Sequence, residues 1–158
     1  MICFDTSPII WGVQGVARRG QDEMVDRTKR YIEYLTEEKK RIMIPTPALT
    51  EYLVHFDPKE QKEQKRVIES NFIVPAFDIP AVEVAAELLG DTEAIREMRD
   101  TGEYDKIRVS IDAQIIAIAI VNQAEKIISH DPRLTKLAHR RILVEPVPVI
   151  QTQLKMEF

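Results

Sequence analysis

Short apolar runs, separated by longer segments with the periodicity of amphipathic helices, constrain the fold of this chain most strongly. Such alternation is typical of βαβ units, in which helices cover both faces of a parallel sheet. None of the runs is longer than a small buried strand requires. The pattern therefore predicts an α/β fold with one compact sheet, whose strands lie at residues 2–4, 42–44, 72–74, 127–129 and 142–144.

Helix starts are marked by a capping side chain that stands directly before a proline. The fixed φ and the missing N–H of proline suit the first helical position. A further helix from Ser110 to Val121 is apolar almost all round, which predicts a buried central helix. Residues 100–109, just before this helix, lack helical periodicity and predict a loop or lid. The proline-marked starts are Ser7-Pro8, Thr46-Pro47, Asp57-Pro58 and Asp131-Pro132.

Length and composition fit a single domain over residues 1–158. The 158 residues are 44% apolar and 30% charged, which is ordinary for a globular protein with one core. The first residues carry no basic and apolar leader, and the longest apolar stretch, residues 115–121, is far too short to span a bilayer. We therefore expect a cytoplasmic protein with no membrane attachment. The single cysteine, Cys3, is expected to be a buried small hydrophobe.

The overall charge argues against a surface that attracts nucleic acid everywhere. The formal net charge is -4 and the pI is about 5.5, so any phosphate binding must be local. A solvated helix face is the simpler explanation for each basic cluster. The clusters are Arg18 and Arg19; Lys39, Lys40 and Arg41; Lys59, Lys62, Lys65 and Arg66; and Arg133, Lys136, Arg140 and Arg141.

Four acids carry the functional hypothesis, because each stands where an apolar run gives way to a helix. They are Asp5, Glu51, Asp112 and Asp131. Parallel strands deliver their C-terminal ends to one edge of the sheet, so residues in such positions can converge on one pocket. Carboxylates gathered in this way repel one another unless a cation lies among them. Oxygen ligands suit Mg²⁺ or Mn²⁺, and such sites commonly cleave phosphate esters, so the pattern indicates a metal-dependent nuclease.

Each acid also has a structural explanation. Asp5 and Asp131 could simply cap the helices that follow them. Glu51 lies opposite the apolar stripe of its own helix, and the sequence leaves open whether that side meets water or a cleft. Asp112 is the only acid within a mostly apolar segment, which favours a role in a cleft. Ser129 could orient the carboxylate of Asp131 or contact a water molecule bound to a metal.

Other motifs point less clearly to chemistry. His55 follows Glu51 by four residues and His130 precedes Asp131, so either could act as a base or ligand, although surface positions are the simpler explanation. Asp5 at the end of the first strand also suggests an aspartyl-phosphate phosphatase. Such enzymes usually have a second Asp two residues later, where this chain has Ser7.

In order and spacing, these motifs resemble the PIN-domain family, small nucleases that include the VapC-like toxins of toxin-antitoxin pairs. No single motif is specific, but their combination along nearly the whole chain is. The motifs are Phe4-Asp5-Thr6-Ser7, Pro45-Thr46-Pro47-Ala48-Leu49-Thr50-Glu51, Asp112-Ala113-Gln114-Ile115-Ile116-Ala117 and Ser129-His130-Asp131.

The resemblance implies a three-layer α/β/α Rossmann-like fold with a parallel five-stranded sheet of order 3-2-1-4-5. It implies a Mg²⁺ or Mn²⁺ site formed by Asp5, Glu51, Asp112 and Asp131, with Ser129 at the family's Ser or Thr position. It further implies endoribonuclease activity on RNA and a homodimer. For a toxin it also implies an antitoxin protein that covers the cleft. Single-stranded or loop RNA is the expected substrate, because unpaired bases can enter a cleft.

Two functions remain open beside the toxin. The chain has Leu134 where toxin members often have an aromatic residue, and its segment 60–105 is longer than in the smallest members, so a housekeeping RNA-processing nuclease is one alternative. A catalytically silent scaffold that binds RNA or protein is the other. Because all four acids are present, the enzyme is the preferred interpretation.

Overall fold

The computed structural model of the protein describes residues 1–90 and 92–151, and it confirms the predicted α/β class. Strands and helices alternate through most of this part of the chain. In chain order the elements are β1 (Ile2–Phe4), α1 (Thr6–Ile9), a π-helical turn (Ile10–Gln14), α2 (Asp22–Glu37), β2 (Ile42–Met43), α3 (Thr46–Leu53), α4 (Pro58–Asn71), α5 (Ile79–Leu89), α6 (Thr92–Asp100), α7 (Lys106–Val121), β3 (Lys126–Ile128), α8 (Pro132–Ala138) and β4 (Leu143–Glu145).

The sheet is parallel throughout, with the strand order β2-β1-β3-β4. β1 lies in the middle, where Ile2 pairs with Ile42 on one side and with Lys126 on the other. All three residues of β1 are buried, as expected for an inner strand of a sheet covered by helices. Because every strand runs the same way, the C-terminal ends share one edge, and the chain turns into a helix there after β1 and β3.

The prediction of a fifth strand at residues 72–74 is wrong. In the part of the chain that the structure describes, this run makes only an isolated parallel bridge, between Ile73 and Met43. The N–H of Ile44 donates to the carbonyl of Ile73 at 2.8 Å, and the N–H of Ile73 donates to the carbonyl of Ile42 at 3.0 Å. Pro75 has no N–H to donate to the carbonyl of Ile44, so the ladder does not continue regularly beyond this bridge, although the N–H of Thr46 donates to the carbonyl of Pro75 at 3.1 Å. The bridge still places this run beside β2, where the predicted order 3-2-1-4-5 puts the outer strand.

Several helix ends differ from the sequence prediction. α1 is capped by Asp5, whose side chain accepts from the N–H of Thr6, and not by Ser7. α7 begins at Lys106 with Asp105 as its cap, about one turn before the predicted start at Ser110. The predicted loop over residues 100–109 is therefore confined to the few residues between α6 and α7. The caps at Asp57 and Asp131 form as predicted, and in α4 Glu60 completes a capping box with Asp57.

α7 is the central helix of the core. Its run from Ile115 to Ala119 is completely buried, and it packs against α3, α5, α8 and β3. Cys3 in β1 is also fully buried, as predicted. Among the described residues, no helix combines the length and the apolar character that crossing a membrane requires.

Candidate active site

Asp5 lies at the C-terminal end of the central strand and is held by two hydrogen bonds. The backbone N–H of Thr6 donates to Oδ1 and the hydroxyl of Ser129 donates to Oδ2, both at 2.7 Å. The carboxylate is therefore fixed from two sides, although only 8% of the residue is exposed. Burial raises the pKa of Asp5, and these two hydrogen bonds oppose the rise.

Glu51 is joined to Asp5 through Thr6. Glu51 lies on α3 and is half-buried, and its Oε2 accepts a 2.6 Å hydrogen bond from the Thr6 hydroxyl. The side of α3 opposite its apolar stripe thus faces a cleft beside α1. This contact answers the question that periodicity left open, because Glu51 is not simply solvated.

Asp131 is joined to Asp5 through Ser129. The backbone N–H of Asp131 donates to the Ser129 hydroxyl oxygen at 3.1 Å, and that hydroxyl in turn donates to Asp5. Ser129 therefore orients the carboxylate of Asp5, whereas the sequence suggested that it would orient the carboxylate of Asp131. Asp131 also caps α8, since its Oδ1 accepts from the N–H of Arg133 at 2.9 Å.

Arg133 connects Asp131 with Asp112. Its Nη2 donates to Oδ2 of Asp131 at 2.6 Å, and its Nε lies 3.5 Å from Oδ2 of Asp112. The second contact is an ion pair without a hydrogen bond, because both of these atoms are buried and neither has a hydrogen-bond partner. The guanidinium is thus shared between two carboxylates and does not form a bidentate pair with either one.

All four acids predicted from the sequence therefore belong to one continuous network of contacts. It runs from Glu51 through Thr6 to Asp5, then through Ser129 to Asp131, and finally through Arg133 to Asp112. As they stand, no three His, Cys, Asp or Glu side chains within residues 1–90 and 92–151 are grouped closely enough to hold a metal ion. The network brings the acids into one region, and Thr6, Ser129 and Arg133 lie between their carboxylates.

Asp112 shows how unfavourable this arrangement is for negative charge. Burial raises the pKa of Asp112 to about 7, and the charges of Asp131, Asp5 and Glu51 also raise it, while Arg133 acts in the opposite direction. A carboxyl group with such a pKa is only partly ionised at neutral pH. The site therefore lacks positive charge, even with the guanidinium present.

The donor set fits a hard divalent cation. Carboxylate oxygens from four acids, supported by the hydroxyl groups of Thr6 and Ser129, are the ligands that Mg²⁺ and Mn²⁺ prefer. The buried Oδ2 of Asp112 has no hydrogen bond, so this oxygen is available to such an ion. A divalent cation bound there would also reduce the repulsion between the negative charges of the neighbouring carboxylates.

Two members of the network, Thr6 and Arg133, are not among the candidate site residues that the sequence predicts. Thr6 could have been singled out as a polar residue directly after Asp5 at a strand end. Arg133 was considered only as part of a basic cluster on a helix face. Its position two residues after a capping acid is the signal that places its side chain over that acid, because the first turn of a helix folds back towards its cap.

The two histidines considered from the sequence have different surroundings. His55 is exposed on the surface after α3. His130 is exposed too, but its Nε2 accepts a 3.0 Å hydrogen bond from the backbone N–H of Val147. Desolvation lowers the pKa of His130, and the nearby charge of Arg27 lowers it further, so the ring is favoured in its neutral form. With Nε2 as an acceptor, the ring proton lies on Nδ1.

Comparison with known proteins agrees with this architecture. The family model described as "PIN domain" matches residues 2–140, and the chain therefore belongs to the PIN-domain family. A search among curated proteins finds no match.

Solved structures that share the fold include two VapC-related ones. One is VapBC2 from Rickettsia felis bound to a DNA fragment from its promoter, at 16% identity and a TM-score of 0.63, covering 94% of this chain and 100% of that one. The other is VapC20 from Mycobacterium tuberculosis, described as a sarcin-ricin loop cleaving toxin, at 18% identity and a TM-score of 0.57, covering 85% of this chain and 93% of that one. At these identities the likeness shows the fold alone.

Proposed function

We propose that this protein is a Mg²⁺- or Mn²⁺-dependent endoribonuclease that acts as the toxin of a toxin-antitoxin pair. The observation that carries the proposal is the continuous network that joins Asp5, Glu51, Asp112 and Asp131. Membership of the PIN-domain family and structural likeness to VapC proteins support a nuclease. The RNA substrate, the metal ion and the toxin role are the parts that the proposal adds.

The four acids are the residues that would hold the ion. When bound, Mg²⁺ or Mn²⁺ would neutralise the clustered carboxylates and stabilise the negative charge that develops on the phosphate during hydrolysis. Ser129 and Thr6 keep the Asp5 carboxylate in one orientation, because each donates a hydrogen bond to a different oxygen. The second hydrogen bond of Thr6, to Glu51, ties α3 to the same place. Because these hydrogen bonds already restrict the carboxylates, less conformational entropy is lost when the substrate and the ion bind.

The proposed substrate is single-stranded or loop RNA. With a net charge of -4 the protein has no general attraction for nucleic acid, so binding must come from local contacts near the acids. An unpaired strand can enter a cleft and present its phosphates there. VapC20, which is described as a sarcin-ricin loop cleaving toxin, and the family resemblance support RNA as the substrate class. The resemblance to VapC-like toxins of toxin-antitoxin pairs, with VapBC2 among the structural neighbours, supports an antitoxin partner, and a homodimer is expected from the same resemblance.

Cleavage of a single-stranded RNA, measured with Mn²⁺ and with EDTA, tests the proposal. We expect Mn²⁺-dependent cleavage by the wild type and a loss of about a hundredfold or more in Asp112→Asn, since a buried ligand oxygen becomes an amide. The matched control is Asp26→Asn, which changes an exposed acid on α2 and should leave the rate unchanged. RNA binding that neither EDTA nor Asp112→Asn affects, without any cleavage, would contradict the proposal and select the scaffold instead.

A further inference from the structure

A cavity of about 550 Å³ opens directly beside the acidic network. It lies between the loop that precedes α2 and the start of α8. Asp131 and Ser7 belong to its wall, so the cavity is continuous with the candidate active site. The other residues that matter for its chemistry are Trp11, Arg18, Gln21, Glu23 and His130.

His130 gives this cavity a fixed aromatic surface. Its ring is perpendicular to that of Trp11, with 4.9 Å between the ring centroids and 87° between the planes. The hydrogen bond from the N–H of Val147 to Nε2 holds the ring from another direction. Trp11 is only 5% exposed, whereas His130 is exposed. An exposed aromatic ring is thus held in one orientation before any ligand binds, which lowers the entropic cost of stacking against it.

The polar residues of the wall suit a nucleotide more than an apolar ligand. Arg18 supplies a guanidinium that can contact a phosphate or stack on a base, and Gln21 supplies an amide that can hydrogen-bond to a base edge. Glu23 contributes a carboxylate to the same wall, so the lining is not uniformly positive. The combination of an aromatic face, one cation and one amide is typical of sites that bind an unpaired base.

We propose that this cavity binds one unpaired nucleotide of the RNA substrate, with its base stacked on His130. The inference rests on the proposed ribonuclease function, because it names the part of the substrate that lies next to the reacting phosphate. Since Asp131 belongs both to the cavity wall and to the acidic network, a nucleotide held here would be adjacent to the bond that is cleaved.

Trp11 makes the proposal measurable without cleavage. It is the only tryptophan in the chain and it lines the cavity, so tryptophan fluorescence, excited at a wavelength that the four tyrosines do not absorb, reports on this site alone. We expect AMP or UMP, added at millimolar concentration in EDTA, to change the emission in a saturable way. Ribose 5-phosphate, which has the sugar and the phosphate but no base, should produce little change. Equal responses to AMP and to ribose 5-phosphate would overturn the assignment of a base to this cavity.

Two variants at position 130 isolate the aromatic ring. His130→Ala and His130→Phe both lose the hydrogen bond from Val147, but only His130→Phe keeps an aromatic face. We expect His130→Ala to weaken AMP binding by about tenfold, and His130→Phe to remain close to the wild type. Equal weakening in both variants would overturn stacking on this residue. Melting temperatures of both proteins show whether each is folded, and the comparison of AMP with ribose 5-phosphate on the wild type tests the cavity even if neither variant folds.

The measurements distinguish a wrong assignment of the cavity from a wrong assignment of the nuclease activity. Saturable binding of AMP without Mn²⁺-dependent cleavage would uphold the nucleotide site and contradict the proposed nuclease. Mn²⁺-dependent cleavage that is lost in Asp112→Asn, together with no fluorescence response to AMP or UMP, would contradict the cavity assignment and leave the nuclease standing.

Discussion

The environment of Asp112 disfavours a negative charge on its side chain. Only 8% of it is exposed, one of its oxygens has no hydrogen bond, and its nearest cation is an arginine shared with Asp131. An ionised carboxylate in such surroundings destabilises the fold unless positive charge is added. A cation bound beside Asp112 would offset this penalty, as the proposed metal site requires.

The pH dependence of stability without metal follows from the raised pKa of Asp112, about 7 against an ordinary value of 3.8. Below the ordinary value the group is protonated in both the folded and the unfolded state and has no effect. As the pH rises towards 7 the unfolded state releases the proton first, so the folded state is progressively destabilised. We expect Asp112→Asn to remove this penalty and to stabilise the metal-free protein above pH 7 by up to about 4 kcal/mol.

Urea unfolding in EDTA at roughly pH 5 and pH 8 measures this effect. The difference between Asp112→Asn and the wild type should grow from the lower to the higher pH. Asp26→Asn, at an exposed position on α2, serves as the control and should show no such trend. A difference that stays constant with pH would show that Asp112 does not carry the charge penalty described here.

Arg133 occupies the region where a cation held by Asp112 and Asp131 would lie. It pairs with both carboxylates, so a divalent ion must displace it from at least one of them. We expect Arg133→Gln to bind Mn²⁺ about fivefold more tightly than the wild type, which corresponds to a lost ion pair of about 1 kcal/mol. Isothermal titration calorimetry measures this change.

Arg141→Gln is the matched control for Arg133→Gln. It also removes one positive charge and one ion pair, between Nη2 of Arg141 and Oε2 of Glu87 at 3.0 Å. Arg141 precedes β4, whose N-terminal end lies at the opposite edge of the sheet from the acids, so its loss should leave the Mn²⁺ affinity nearly unchanged. The same affinity in the wild type and in both variants would mean that Arg133 does not compete with the ion.

The sequence proposed the four acids as candidate site residues but gave no sign of the contacts that join them. Asp5 and Asp131 could be recognised because each stands between an apolar run and a helix start. Thr6 and Arg133 could not be ranked, since their importance depends on partners such as Glu51, 45 positions away from Thr6. Contacts of this range are fixed by the folded sheet and have no local pattern along the chain.

At the scale of elements, the π-helical turn is pressed closely against α2 at Gly12. A Cβ atom added there would lie 2.6 Å from Cδ1 of Ile32 and 2.9 Å from Cγ2 of Thr28. Thr28 is completely buried, so it has little room to move. The turn also carries Trp11, and this close packing therefore helps to position the wall of the cavity.

We expect Gly12→Ala to lower the free energy of unfolding by about 1–3 kcal/mol, because the extra methyl group overpacks this contact. Ile32→Val removes the Cδ1 atom that the new methyl group would meet. Combined with Gly12→Ala, it should recover part of the loss, which a double-mutant cycle by urea unfolding measures. Additive effects of the two substitutions would contradict a direct contact between them.

The element ends that were predicted wrongly share a physical cause. Periodicity located the mostly apolar part of α7, but its first turn from Lys106 to Val109 mixes charged and apolar residues and is held by the Asp105 cap. The run at residues 72–74 does lie beside β2, but Pro75, just after it, lacks the N–H that would continue the ladder. Caps and prolines therefore decide element boundaries more than hydrophobic periodicity does.

At the scale of the whole molecule, alternation of elements and the order of the acidic motifs were sufficient to predict the fold class. The parallel sheet then accounts for the common location of the acids, because it brings the ends of β1 and β3 together. What the sequence could not supply was the cavity beside them, whose walls come from segments more than a hundred residues apart.

The toxin role predicts an effect on a whole cell. Expression of the wild-type chain by itself in bacteria should arrest growth, since free endoribonuclease would cleave RNA. Asp112→Asn, expressed to the same level, should not arrest growth if cleavage is the cause. Normal growth with a wild-type protein that cleaves RNA in vitro would favour the housekeeping nuclease.

The thermal shift caused by Mn²⁺ shows whether Asp5, Glu51, Asp112 and Asp131 hold a divalent ion at one shared site. Cation binding to the folded state alone raises the melting temperature. We predict a clear rise for the wild type and for Asp26→Asn, and a much smaller rise for each of Asp5→Asn, Glu51→Gln, Asp112→Asn and Asp131→Asn. Equal rises in all six proteins would contradict a shared site at these residues.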